Sequence, residues 1–189
     1  MYDITVTGYA GDFGSSLIYR DPRIGKELGS LYPKSFLKAL DEPMDAMKVI
    51  QGDRELSELF DDHLREGLLI QASEGGIYKA LWELLRAHRL GASFSQRAIP
   101  VRQQTIEVCE VLELDPYRLR SDGTWIWLTK ESGRIVRLFE RASLKGSAAV
   151  IGHTKKGPGI ERDDGEAVAF LRRPEPDEFT KVFLGDEEV

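Results

Sequence analysis

Ser73-Glu74-Gly75-Gly76-Ile77-Tyr78-Lys79-Ala80-Leu81-Trp82-Glu83-Leu84-Leu85-Arg86-Ala87-His88 is the stretch from which the fold is read. After two glycines, Ile77, Ala80, Leu81, Leu84 and Leu85 recur at three- and four-residue spacing. That spacing puts them on one face of a helix, and the face needs an apolar surface to cover. Gly91 reads as the glycine that caps the helix end. Just upstream, Gly67-Leu68-Leu69-Ile70-Gln71 reads as a short apolar strand.

Strands at several other places supply the surface. Asp3–Thr7 is rich in β-branched residues and ends at a glycine. Thr124–Thr129 alternates Trp125 and Trp127 with Ile126 and Leu128, so both of its faces are apolar and both need cover. Ala148–Gly152 reads as a strand of small residues. Residues 159–162 and 167–171 read as a hairpin closed at Asp163-Asp164-Gly165. Further helices are expected over residues 31–40, with Pro33 near the start, and over Asp45–Ile50 and Asp53–Arg65, with Asp53 as N-cap. Two more are expected after Pro100, with Ile106 and Cys109 inward, and over Ile135–Leu144. Ser15 or Ser16 reads as the cap of a short helix through Tyr19. Strands and helices mix irregularly, so the expected class is α/β (α+β), a mixed, largely antiparallel sheet with packed helices. Residues 1–172 read as one domain and 173–189 as an acidic tail, with Phe179, Val182 and Phe183 as a docking turn.

The 189 residues suffice for one large domain, which at this size buries roughly 70% of its unfolded surface. Net charge is −6 and no dense Lys/Arg run occurs, which argues against nucleic acid as a partner. The densest basic stretch, Arg86, His88, Arg89, Arg97 and Arg102, is broken by apolar residues and reads as a solvated helix edge. No apolar run reaches membrane-spanning length, so no membrane partner is expected. The start lacks a signal-peptide pattern. One cysteine, Cys109, fits a reducing compartment. A soluble, cytoplasmic chain is the expectation.

Chemistry-bearing motifs are few. His63, His88 and His153 lie far apart and one thiol builds no cluster, so no metal site is expected. Cys109 reads as a small buried hydrophobe. No phosphate-loop or dinucleotide fingerprint is present. Two glycine turns remain, each between a strand and a helix: Gly8 to Ser16, containing Gly11, Gly14 and Ser15, and Ser73-Glu74-Gly75-Gly76. Unpaired N–H groups and partial positive charge at a helix start suit phosphate. The plainer alternative is that Gly75-Gly76 permits close packing and that Gly8 to Gly14 turns the chain. Catalytic residues are not identifiable.

The block Ser73 to Leu84, then Gly91, Ile99-Pro100-Val101, Thr105 to Glu110 and Leu114-Asp115-Pro116-Tyr117, resembles the C-terminal domain of the AIR synthase-related family. Its members include aminoimidazole ribonucleotide synthase, the hydrogenase maturation factor HypE, thiamine-monophosphate kinase and selenophosphate synthetase. The HypE type matches best, through its Thr-Glu-Gly-Gly-like helix start. Ser121-Asp122-Gly123 and Ala148 to Gly152 continue the match, which runs from residue 3 to about 170.

The resemblance implies that complete relatives carry an N-terminal domain that holds most metal and nucleotide contacts and forms the dimer. The C-terminal domain then closes over the phosphates with glycine loops. Three departures stand out. Met1 begins almost at the domain boundary. Gln71 stands where relatives place an acid, and a glutamine cannot ionise. The chain ends Gly185 to Val189 without the terminal cysteine of the HypE type.

These departures lead to the expectation of a non-catalytic binding or regulatory module, without cofactor of its own. The alternatives are an enzyme half completed in trans by a separate N-terminal domain, with ATP and Mg, or a fragment of a longer protein. The expected partner is that separate domain or a second copy, partly because Trp125 and Trp127 on an apolar strand suggest a surface desolvated by association.

Overall fold

The computed structural model describes residues 1–142 and 146–183. Among them the strands are β1 (Asp3–Thr7), β2 (Leu69–Ala72), β3 (Gly91–Ser95), β4 (Thr124–Thr129), β5 (Ala148–Lys155), β6 (Ile160–Asp163) and β7 (Val168–Phe170). The helices are α1 (Asp12–Tyr19), α2 (Pro22–Leu31), α3 (Lys34–Leu37, continued by a 3-10 turn), α4 (Ala46–Gly52), α5 (Arg54–Arg65), α6 (Gly76–Ala87), α7 (Gln103–Val111), α8 (Ser132–Arg141) and α9 (Phe179–Phe183). The strands form one sheet in the order β2-β4-β1-β5-β3-β6-β7. Every pairing is antiparallel except β3 with β6. The mixed, largely antiparallel α/β architecture expected from the sequence is the one formed.

Period-two alternation sorts the strand side chains onto two faces. Ile4, Val6, Ile126 and Leu128 meet Ile77, Leu81, Leu84 and Leu85 of α6 in one core. On the opposite face, Trp127 packs with Ile50 of α4, Leu56 and Phe60 of α5, and Ile135 and Phe139 of α8, with Trp125 partly buried against them. Trp127 is wholly buried, and its indole N–H donates to Thr7 Oγ1 at 2.9 Å. The expected need for an outside partner at these tryptophans is therefore corrected: the chain's own helices cover both sides of β4. A third core joins Ile18, Leu28, Leu37, Val108, Cys109 and Leu119, with Phe179, Val182 and Phe183 of α9 laid against it.

Local expectations fared unevenly. Asp53 caps α5, accepting the N–H groups of Glu55 and Leu56 at 2.9 and 3.1 Å. Neither Ser15 nor Ser16 caps α1; the helix starts at Asp12 behind Gly11, whose φ is 69°. Gly91 does not end α6. Arg89 takes the left-handed conformation there (φ 54°), and Gly91 opens β3, where a side chain would collide with the carbonyl oxygens of Gly157 and Gly159. Helix α2 was not anticipated; it is capped by Asp21 and fully buries only Leu28. The expected helix end at Leu144 and the terminal Gly185 to Val189 lie outside the described residues.

Candidate functional site

The two glycine turns, more than 60 residues apart in sequence, are tied together by the segment from Pro116 to Ser121. The buried Ser121 is the strut: its Oγ accepts the N–H of Gly11 at 2.8 Å, and its own N–H donates to the carbonyl of Ser73 at 3.1 Å. Gly14 donates its N–H to the carbonyl of Arg120 at 2.9 Å. Added methyl groups at Gly11 and Gly76 would strike the carbonyls of Pro116, at 2.9 Å, and of Tyr117, at 2.5 Å. Both glycines hold positive φ, so conformation and close approach each require glycine there.

Several of the turns' polar groups are committed within the chain, although Ser16 Oγ is buried without a hydrogen-bond partner. Ser15 is fully buried; its Oγ donates to the carbonyl of Asp12 and lies 3.0 Å from Thr105 Oγ1. Gly76 donates to the carbonyl of Ser73 at 3.1 Å. Glu74 is exposed, 3.7 Å from Lys79. At the start of α6 an anion is already in place. The carboxylate of Asp177 accepts the N–H groups of Gly75 at 2.6 Å, Arg120 at 3.2 Å and Phe179 at 2.8 Å. Asp177 is 3% exposed. The turn thus has the anion affinity its sequence suggests, and the chain supplies the anion. Gln71 lies exposed on β2, opposite Trp125.

A second buried carboxylate stands behind the first turn. Asp12 Oδ2 accepts the N–H of Met44 at 2.8 Å and lies 3.3 Å from Arg102. Its Oδ1 is buried without a hydrogen-bond partner. Burial pushes its carboxyl above the usual range, against the opposing pull of the Met44 N–H and Arg102. Arg102 also lies over the ring of Tyr9, 5.0 Å from its centroid.

Sequence reasoning missed a cleft beside the α6 turn. It is about 280 Å³ and is lined by Tyr78, Lys79, Arg118, Arg162, Arg172 and Arg173, among others. These basic residues come from α6, the Asp115 loop, β6 and the segment after β7, so no local run signals them. No group of three or more His, Cys, Asp or Glu suited to a metal occurs among the described residues. No helix among them is long and apolar enough to cross a membrane.

No family model matches the chain. In sequence it is 39% identical over 83 residues to the carbamoyl dehydratase HypE of Azotobacter vinelandii, a match covering 42% of this chain and 24% of that protein. In structure it superposes on E. coli HypE, a hydrogenase maturation protein, with a TM-score of 0.70 at 19% identity, covering 96% of this chain and 52% of the other. A thiamine-monophosphate kinase from Stenotrophomonas maltophilia gives a TM-score of 0.56 at 17% identity, covering 88% and 51%. HypE structures in complex with ATP and with HypF match at 0.66 and 0.60. The chain spans about half the length of these solved relatives, and the aligned stretch covers a smaller share of the curated one. In fold, and over part of its sequence, the chain is thus similar to AIR synthase-related proteins of the HypE type.

Proposed function

We propose that this chain acts as a non-catalytic binding module in an ATP-dependent system of the HypE type. The observation that carries the reading is the commitment of the glycine turns. The N–H groups of Gly11, Gly14, Gly75 and Gly76 are bonded to Ser121, Arg120, Asp177 and Ser73. In this arrangement they are not turned toward the phosphates of a nucleotide. Gln71 adds no carboxylate for a metal or a proton. The residues present do not fit Mg–ATP on their own, and no catalytic step is assigned to them. The HypE–HypF complex among the structural relatives supports a protein partner; we assign that role to an AIR synthase-type N-terminal domain or to a second copy of this chain.

The test is magnesium-dependent ATP turnover by the purified chain, alone and mixed with an N-terminal domain of this type. Binding of the domain without turnover is expected. Turnover abolished by Ser73→Ala or Glu74→Gln would overturn the non-catalytic reading and establish completion in trans instead.

A further inference from the structure

We propose that the cleft between the start of α6 and the segment after β7 binds a small ligand bearing two adjacent phosphate groups. Lys79, Arg118, Arg162, Arg172 and Arg173 line one cavity of about 280 Å³, against the carboxylates of Asp115 and Glu175. In a chain of net charge −6, this gathering of like charge is unfavourable unless something anionic meets it.

The neighbouring carboxylates do not meet it fully. Arg118 is engaged by Glu175 and, at 3.4 Å, by Glu178. Lys79 faces the exposed Glu74 at 3.7 Å, and Arg162 faces Asp164 at 3.7 Å with Tyr78 and Asp115 also near it. The Nε of Arg162 is buried with no hydrogen-bond partner. Arg172 and Arg173 make no ion pair or hydrogen bond with any described residue. Arg172 and Arg173 are therefore the cleft's cations left without a carboxylate partner among the described residues.

Guanidinium groups give planar, paired donors that match phosphate oxygens. Two adjacent free arginines with Arg162 nearby suit two phosphate groups better than one. The volume lies just below the usual range of about 300–1,000 Å³ for small-molecule sites, which suits a diphosphate or a small phosphate ester. One wall is firm: Tyr78 stacks on Tyr117 with centroids 5.4 Å apart, and its hydroxyl donates to Gln96 Oε1 at 2.7 Å. The ligand rests on side chains, because the N–H of Gly75 already belongs to Asp177. The site thus stands apart from the glycine turns and requires no ATP turnover.

Isothermal titration calorimetry of the full chain with inorganic pyrophosphate tests it. Saturable binding is expected, weakened at least tenfold in the double variant Arg172→Ala/Arg173→Ala and unchanged in Arg86→Ala/Arg89→Ala. Both cleft arginines are exposed, and an unchanged melting temperature shows that the fold is kept. Amide shifts should gather at residues 75–79, 118, 162 and 169–173. Absent saturation, equal binding by the cleft double variant, or tighter binding of citrate than of pyrophosphate would each overturn the proposal. None of these outcomes bears on ATP turnover, so this proposal and the functional reading can fail separately.

Discussion

Asp177 sets its carboxylate on the N–H of Gly75, a residue 102 positions earlier in the chain, at 2.6 Å. The same carboxylate takes the N–H groups of Arg120 and Phe179. One side chain thus satisfies the start of α6, the strut segment and the start of α9, and it ties the C-terminal segment to the body of the fold.

Asp177→Ala leaves three backbone donors without that acceptor. A loss of about 1–3 kcal/mol in urea denaturation is expected for such buried, unsatisfied groups. Trypsin should also cut faster after the exposed Arg172. Glu166→Ala, on the exposed hairpin turn, should stay within about 0.5 kcal/mol of the parent. Equal stability of all three proteins would remove the anchor role of Asp177.

Leu81, on the sheet-facing side of α6, is wholly buried. Leu81→Ala should cost about 2–5 kcal/mol, the sum of lost transfer energy and the cavity left behind. A cost below that range would mean that the α6–sheet core closes around the gap.

Asp12 carries a pH signature. Burial raises its carboxyl above the ordinary aspartate value of 3.8. The folded chain therefore binds this proton more tightly than the unfolded chain does. Stability from this group is present at low pH and is lost as pH rises from the ordinary value through the higher native one. Asp12→Asn stays neutral throughout. The stability of the parent relative to this variant should fall as pH is raised from about 4 to 7. Burial also raises Asp115, but that contribution is common to both proteins and cancels. A difference that grows with pH would reverse the assignment.

Cys109 is 2% exposed, and burial pushes its thiol up to about 12. Since the thiolate is the reactive form, maleimide labelling should be slow in the folded chain and rapid in denaturant. Fast labelling of the native protein would show that the α7 core opens readily.

The legible parts of the fold were those whose pattern repeats within one element. The stripe of Ile77, Leu81 and Leu84 and the two apolar faces of Thr124–Thr129 each state a burial requirement in consecutive residues, and the structure meets both. Helix α2 was passed over because its apolar stripe is short: Ile24, Leu28 and Leu31 recur at helical spacing, but Gly25 and Gly29 lie among them and only Leu28 is fully buried. Strand β3 was hidden because Gly91 serves close backbone packing rather than a helix end. In the candidate site, the glycines marked a turn with anion affinity but could not show that Asp177, a hundred residues on, fills it. The cleft arginines were scattered over separate elements, and only tertiary pairing collects them.

Strand β1 lies inside the sheet, with Val6 paired to Ile126 on one side and Ala149 on the other. During synthesis it leaves the ribosome roughly 120 to 140 residues ahead of those partners. At about 5–20 residues per second, it waits on the order of 6–30 s with both hydrogen-bonding edges unclaimed. Its apolar Ile4 and Val6 are then open to any other strand edge nearby. Until Ile126 and Ala149 emerge, β1 has neither of the sheet neighbours that cover it in the fold.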